Sequence, residues 1–182
     1  MAEYELKAVP ADRYNGSPII PTGNPMIDGI GPAAWAQRSD TPDMTVHGQP
    51  KIVPIRTAPG YTIASNDPDP RGLPVIAADK QTAGVVVDVW VDRSEPQVRY
   101  YEVQLAGSEE RRLLPAGYVQ WPNFGLWGND RLLVKTITAA QFRDVPATRS
   151  DVLITLLEED RIMAYYAGGQ LYAMDGRAEP LL

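Results

Sequence analysis

Between residues 74 and 137, apolar and polar positions alternate in short runs separated by turn residues. PVIAADKQTAGVVVDVWVD reads as a short strand, a turn around Asp79–Gly84 and a longer second strand. Successive side chains of a strand point to opposite sides, so Val85, Val87, Val89 and Val91 take one face. Val86, Asp88, Trp90 and Asp92 take the other. DRSEPQ (92–97) is a turn, after which VRYYEVQL sets Arg99, Tyr101, Val103 and Leu105 against Tyr100, Glu102 and Gln104. AGSEE (106–110) turns again, RRLLP leads into YVQW, and DRLLVKTI (130–137) is a further strand. Short strands at this spacing predict a small antiparallel barrel or sandwich.

The period then changes. TLLEEDRIMAYYAGG (155–169) opens on Thr155-x-x-Glu158, a capping-box pattern, and Glu158, Glu159 and Asp160 fill the first turn, where the helix dipole favours anions. Leu156, Met163 and Tyr166 share a stripe, Gly168–Gly169 is the predicted stop, and LYAM (171–174) is a final strand or an extended tail.

Upstream the chain is of another kind: 12 of the 17 prolines fall within residues 1–74. Each fixes φ, removes a donor and biases its predecessor toward extended backbone, so SPIIPTGNPMIDGIGP and NDPDPRGLP cannot be long helices or central strands. Ile19, Ile20, Met26, Ile27, Ile30 and Trp35 keep this segment from being a hydrophilic linker. It reads as an arm that wraps its own domain, lies over a partner, or does both. The expected organisation is an extended Pro/Gly-rich arm over 1–74, a β core over 75–154, and a helix with its tail over 155–182.

Composition narrows the function. The chain has no cysteine, which removes disulfides, thiolate metal sites and cysteine nucleophiles, and its one histidine leaves little room for a triad or a two-histidine site. A net charge of −6 and a pI near 4.8 argue against nucleic acid and anionic membrane surfaces as partners. No apolar run approaches the roughly 20 residues needed to span a bilayer, and no N-terminal signal peptide is present, so the chain alone is expected to be soluble.

Candidate chemistry is sparse. Asp88, Asp92 and Glu95 could serve a carboxylate hydrolase, but acids at a strand end and turn are more commonly just solvated, and their spacing certifies no pair. The DxxxD spacing offers too few oxygens for Mg²⁺ or Ca²⁺, and no EF-hand, P-loop, dinucleotide fingerprint, GxSxG or HExxH pattern occurs. His47, in a Gly/Pro-flanked loop, would matter as a group able to pass protons near neutral pH. Trp35, Trp90, Trp121 and Trp127 could form a ligand cage, although packing explains them better.

PTGNPMIDGIGPAAWAQR (21–38), HGQPKIVPIR (47–56), NDPDPRGLPV (66–75), AGVVVDVWVDRSEPQVRYYEV (83–103), LLP (113–115), TLLEEDRIMAYYAGGQLYA (155–173) and the closing GRAEPLL occur in an order that resembles one family. That family is the H subunit of the purple-bacterial photosynthetic reaction centre. The resemblance implies a mainly β fold, a small antiparallel PRC-type barrel preceded by the arm and followed by a short C-terminal α-helix. It implies a non-enzymatic subunit that binds no pigment, caps the cytoplasmic side of the L and M subunits with membrane lipids at the interface, and conducts protons to the secondary quinone. Bacteriochlorophyll, bacteriopheophytin, quinones and iron would be held by L and M, at the cytoplasmic face of the photosynthetic membrane.

The resemblance also assigns residues. Asp92, Glu95 and Arg99 match a carboxylate–arginine cluster beneath the secondary quinone pocket, with Glu95 expected nearest the quinone. His47 matches a surface histidine where protons enter; Gln49 and Thr45 stand where other members carry a second histidine and an acid. Asp40 and Asp43 are nearby acids that could share that role. Family members begin with a membrane-spanning helix, and this chain starts after it. Two other classes remain: a stand-alone PRC-barrel adaptor, which would lack the GNPMIDGIGPAAW arm, and a small carboxylate hydrolase, which would need a pocket holding a divalent ion.

Overall fold

The computed structural model of the chain describes residues 5–122 and 130–177. A small two-stranded ribbon comes first, β1 (Ala8–Pro10) against β2 (Ile19–Pro21). One helical turn follows, α1 (Pro25–Asp28), in which Asn24 accepts from the Met26 N–H at 3.1 Å, Pro25 sits where no donor is needed, and Gly29 closes in the left-handed region.

The main sheet is built from β3 (Ile52–Pro54), β4 (Pro74–Ile76), β5 (Thr82–Asp92), β6 (Gln97–Leu105), β7 (Arg111–Pro115), β8 (Val119–Gln120) and β9 (Leu132–Val134). Its order is β7-β6-β5-β4-β9-β8, with β3 lying beside β5 as well. β6 occupies one edge of β5; β4 pairs with the start of the other edge and β3 with its end. The expected mainly β fold with one C-terminal helix is therefore present, with two differences. β4 and β9 run parallel. The hydrogen-bonded ladder stays open between β7 and β8 among the described residues, and those outer strands are joined by a single 3-10 turn, Ala116–Tyr118. The sheet thus curls until the chain itself bridges its ends.

The simple two-face alternation expected of β5 holds only at its start. Val85 is exposed and Val86 buried, but Asp88 to Asp92 are buried without a break. Register shifts between Val86 and Asp88 and between Trp90 and Val91 break the alternation. The arm strand β3, itself buried, pairs with residues 90–92 there. The turn before β5 is also tighter than expected, with Ala77 donating to the Gln81 carbonyl at 2.9 Å and the strand resuming at Thr82.

α2 (Leu156–Tyr172) starts as the capping box requires: Thr155 Oγ1 accepts from the Glu158 N–H at 3.1 Å, and Glu158 Oε2 accepts from the Thr155 N–H at 2.9 Å. It does not stop at Gly168–Gly169, and residues 171–172 continue the helix instead of forming a strand. The glycines serve close packing: a Cβ on Gly168 would lie 2.6 Å from that of Ala33, and one on Gly169 would strike Ile137 and the Thr136 carbonyl. The buried stripe is also shifted. Ile162, Tyr165, Tyr166 and Gly169 face the core, where Tyr166 stacks on Tyr118 and meets Phe142 edge-on, while Met163 is exposed. No helix among the described residues is long and apolar enough to cross a membrane.

Candidate functional site

Acids and bases gather at two places on the β5–β6 hairpin. The inner cluster forms because Asp88 and Glu102 are directly opposed across the two strands, both about 5% exposed or less. Two buried carboxylates facing each other repel unless a cation intervenes. Arg56, from the end of the arm, supplies it, donating to Asp88 Oδ2 at 2.8 Å and to Glu102 Oε2 at 2.5 Å, and also to the Asp151 carbonyl. Arg111 donates to Glu102 Oε1 at 3.0 Å and the Trp90 indole to Oε2 at 3.2 Å. Neither Arg56 nor Glu102 stood out in the sequence.

The outer cluster lines a groove of about 620 Å³ between the arm, the turn end of the hairpin and the first turns of α2. Asp43, Asp92, Glu159 and Asp160 face Arg38, Lys51 and Arg99 there. Asp92 is 1% exposed; its Oδ1 accepts from the Ser94 and Glu95 N–H groups at 2.8 and 3.2 Å, which shapes the turn. Lys51 Nζ stands between two acids, 3.6 Å from Asp92 and 3.7 Å from Asp43. Tyr100, buried, donates its hydroxyl to Glu159 Oε2 at 3.0 Å. Burial pushes the Glu159 carboxyl above its ordinary pKa and Asp43 adds to this, while the Tyr100 bond, Arg99 and Arg38 pull it back. Burial likewise drives the Tyr100 phenol far upward, so it stays a donor.

Of the six residues expected at a relay, the structure brings Asp43, Asp92 and Arg99 into this groove. His47 and Glu95 do not line it, but occupy the exposed tips of the two loops that frame it. One loop is closed by the Lys51 N–H on the Asp43 carbonyl and Thr45 on the Gln49 carbonyl; the other is the β5–β6 turn. Arg93 latches them together, donating from Nε to the Pro50 carbonyl at 2.9 Å and from Nη1 to Gln49 Oε1 at 3.2 Å. Asp40 is elsewhere, accepting from Arg149 at 2.6 Å and from the Thr155 hydroxyl at 2.9 Å.

Sequence reasoning missed Glu159 and Asp160. Helix capping explained the run EED, yet the cap uses Glu158 alone, and the surplus of acids was the signal. Asp160 accepts from the Ala36 N–H at 2.6 Å and so ties the arm to the helix. The tryptophans form no common cage among the described residues. Trp35 lies under the Arg161 guanidinium at 5.5 Å, Trp90 is in the inner cluster, and Trp121 meets Tyr101 edge-on at 6.4 Å. Trp127 lies outside the described residues.

The chain matches two family models. Residues 1–57 match the photosynthetic reaction centre H-chain N-terminal region. Residues 64–141 match the PRC-barrel domain. The H chain is a structural subunit of a membrane-associated electron-transfer complex, which implies association with the core subunits of that complex. An H-chain arm leading into a PRC-barrel domain, in the order in which arm and curled sheet follow one another in the fold, makes this chain a reaction-centre H-subunit-like protein.

Proposed function

We propose that the chain caps the cytoplasmic face of the L and M subunits and feeds protons through the groove toward the secondary quinone. The observation that supports this is the sharing of Lys51 by Asp43 and Asp92 at 3.7 and 3.6 Å, in a groove open to water. The shared ammonium sets an arm carboxylate and a hairpin carboxylate side by side along the groove. Reduction of a quinone in a site closed to solvent consumes two protons, and a chain of titratable groups and water must deliver them. Coupled acids in such a cluster share protons between them.

On this reading the loop tips face the partners and the solvent. His47, exposed on the loop latched beside the β5–β6 turn, is where protons enter; Glu95, exposed on the isolated chain, becomes covered when L and M dock and hands protons onward. Asp92 and Arg99 set the charge behind it, and Asp43 continues the path along the groove. Asp40, already paired with Arg149 and Thr155, contributes least. The pigments, quinones and iron belong to L and M, and lipids fill the rim of the interface. The match over 1–57 favours this reading over a stand-alone PRC-barrel adaptor, because it covers the arm that such an adaptor lacks.

The test is reconstitution of the full chain with L/M core stripped of its own H subunit, following flash-induced proton uptake and the second electron transfer to the quinone. The wild-type chain restores both. Glu95→Gln with Asp92→Asn slows the proton-coupled step on the order of tenfold or more. Wild-type rates in that double variant would leave a structural cap and remove the relay.

A further inference from the structure

We infer that Glu159, oriented by the Tyr100 hydroxyl, is a proton-holding station of the groove. The inference rests on the relay reading above and adds to it a residue on α2 that neither the sequence nor the family matches assign.

The geometry supports it first. Glu159 follows the capping-box residue, so the helix does not require its carboxylate: Glu158 already satisfies the Thr155 N–H. Glu159 instead turns to the groove and accepts from Tyr100, a buried residue paired with Trp90 across the hairpin. A phenol anchored this way fixes one carboxylate oxygen and leaves the other free to take a proton. Three of the elements around the groove contribute charge: Arg38, Asp43 and Lys51 from the arm, Asp92 and Arg99 from the hairpin, and Asp160 from the helix itself, while the segment 115–117 that completes the lining adds none. Acids and bases are nearly matched, so protonation of Glu159 shifts the balance on Lys51 and Arg99 without leaving a bare buried charge. Burial raises its proton affinity above that of an ordinary glutamate, which favours a group that takes up a proton.

Two readouts test this. Isotope-edited infrared titration of the full chain gives the Glu159 carboxyl signal, identified by its loss in Glu159→Gln. It should titrate above the ordinary glutamate value of about 4.3. Tyr100→Phe and Arg99→Gln should move it further up, since both partners stabilise the ionised form, and Asp43→Asn should move it down. In the reconstituted complex, Glu159→Gln should slow proton uptake several-fold, and Tyr100→Phe should displace the pH profile upward without the full loss. A carboxyl titrating at the ordinary value, or one indifferent to Tyr100→Phe, overturns the inference. So does unchanged uptake in Glu159→Gln while Asp92→Asn is slow, an outcome that leaves the relay standing. Unchanged uptake in every variant, Glu95→Gln with Asp92→Asn included, overturns the relay and the inference together.

Discussion

The inner and outer clusters are built on the same two strands, a few residues apart, and they use charge in opposite ways. Around Asp88 and Glu102 all four carboxylate oxygens take part in a bond of 3.2 Å or less, to Arg56, Arg111, Trp90 or the Val89 N–H. Around Asp43 and Asp92 the cation stands off at 3.6 and 3.7 Å, and the groove is open. Short, multiple, desolvated bonds hold a fixed charge state, since losing a proton or a partner there strands an ion in a poor solvent. The longer contacts of Lys51 leave its ammonium and the Asp43 carboxylate at the open groove instead. One hairpin therefore supplies both a rigid mount and a titratable edge, and the mount keeps the edge in register with whatever docks on it.

The largest effect expected from breaking this contrast comes from Arg56→Ala. It strands Asp88 and Glu102 opposite each other, with Arg111 and the Trp90 indole left on Glu102, and should destabilise the chain by about 3 kcal/mol. Urea denaturation, read as a shift in midpoint at constant slope, measures it. Adding Asp88→Asn and Glu102→Gln to Arg56→Met should recover most of the loss, because the cost lies in the unpaired charges and not in missing packing. A loss below 1 kcal/mol in Arg56→Ala would erase the distinction between the clusters.

How far the sequence foretells these clusters depends on the range of the interaction. The hairpin is legible because β-branched alternation and the DRSEPQ turn are local signals, and the start of α2 is legible because Thr155 and Glu158 satisfy each other's backbone within one turn. Asp92 and Arg99 could be placed near one another for the same reason. Arg56 could not, since its partners lie 32 and 46 residues away, nor could Glu159, whose phenol partner is 59 residues upstream. Gly168 and Gly169 misled for a related reason. Locally, paired glycines read as a helix end; here the need for them comes from Ala33 and Thr136, which press on the helix from distant parts of the chain. The registry shifts in β5 were equally invisible, because the arm strand that pairs there carries three prolines among its near neighbours.

A smaller effect is expected from Lys51→Met. Its two ion pairs are long and the ammonium is partly exposed, so the loss in stability should stay below about 1 kcal/mol. Asp92→Ala should cost about 1 kcal/mol by freeing the Ser94 and Glu95 N–H groups, and Asp92→Asn, which keeps an oxygen for them, less. Thermal unfolding at fixed salt distinguishes the three. If Lys51→Met matched Arg56→Ala in its cost, the groove would be a structural clamp like the inner cluster, and its fitness to share protons would be lost with it.

The smallest effect has the most informative sign. Glu159 has a higher proton affinity in the folded chain than in the unfolded one, chiefly through burial. Its protonated form therefore favours the fold, a contribution fully present below about pH 4, the unfolded value, and lost as pH rises through the folded pKa. Glu159→Gln mimics the protonated form at all pH and still accepts from Tyr100. The variant and the wild type should then melt together at acid pH, and by pH 7 the variant should melt higher by about 1 °C. Asp88→Asn, by contrast, takes the charge from the 2.8 Å partner of Arg56 and should lower the melting temperature at pH 7. A higher melting temperature at pH 7 for Glu159→Gln beside a lower one for Asp88→Asn would show, within one hairpin and its covering helix, a carboxylate kept for its proton beside one kept for its charge. A Glu159→Gln variant that melts no higher than the wild type at pH 7 would mean that Tyr100 and Arg99 outweigh burial at Glu159.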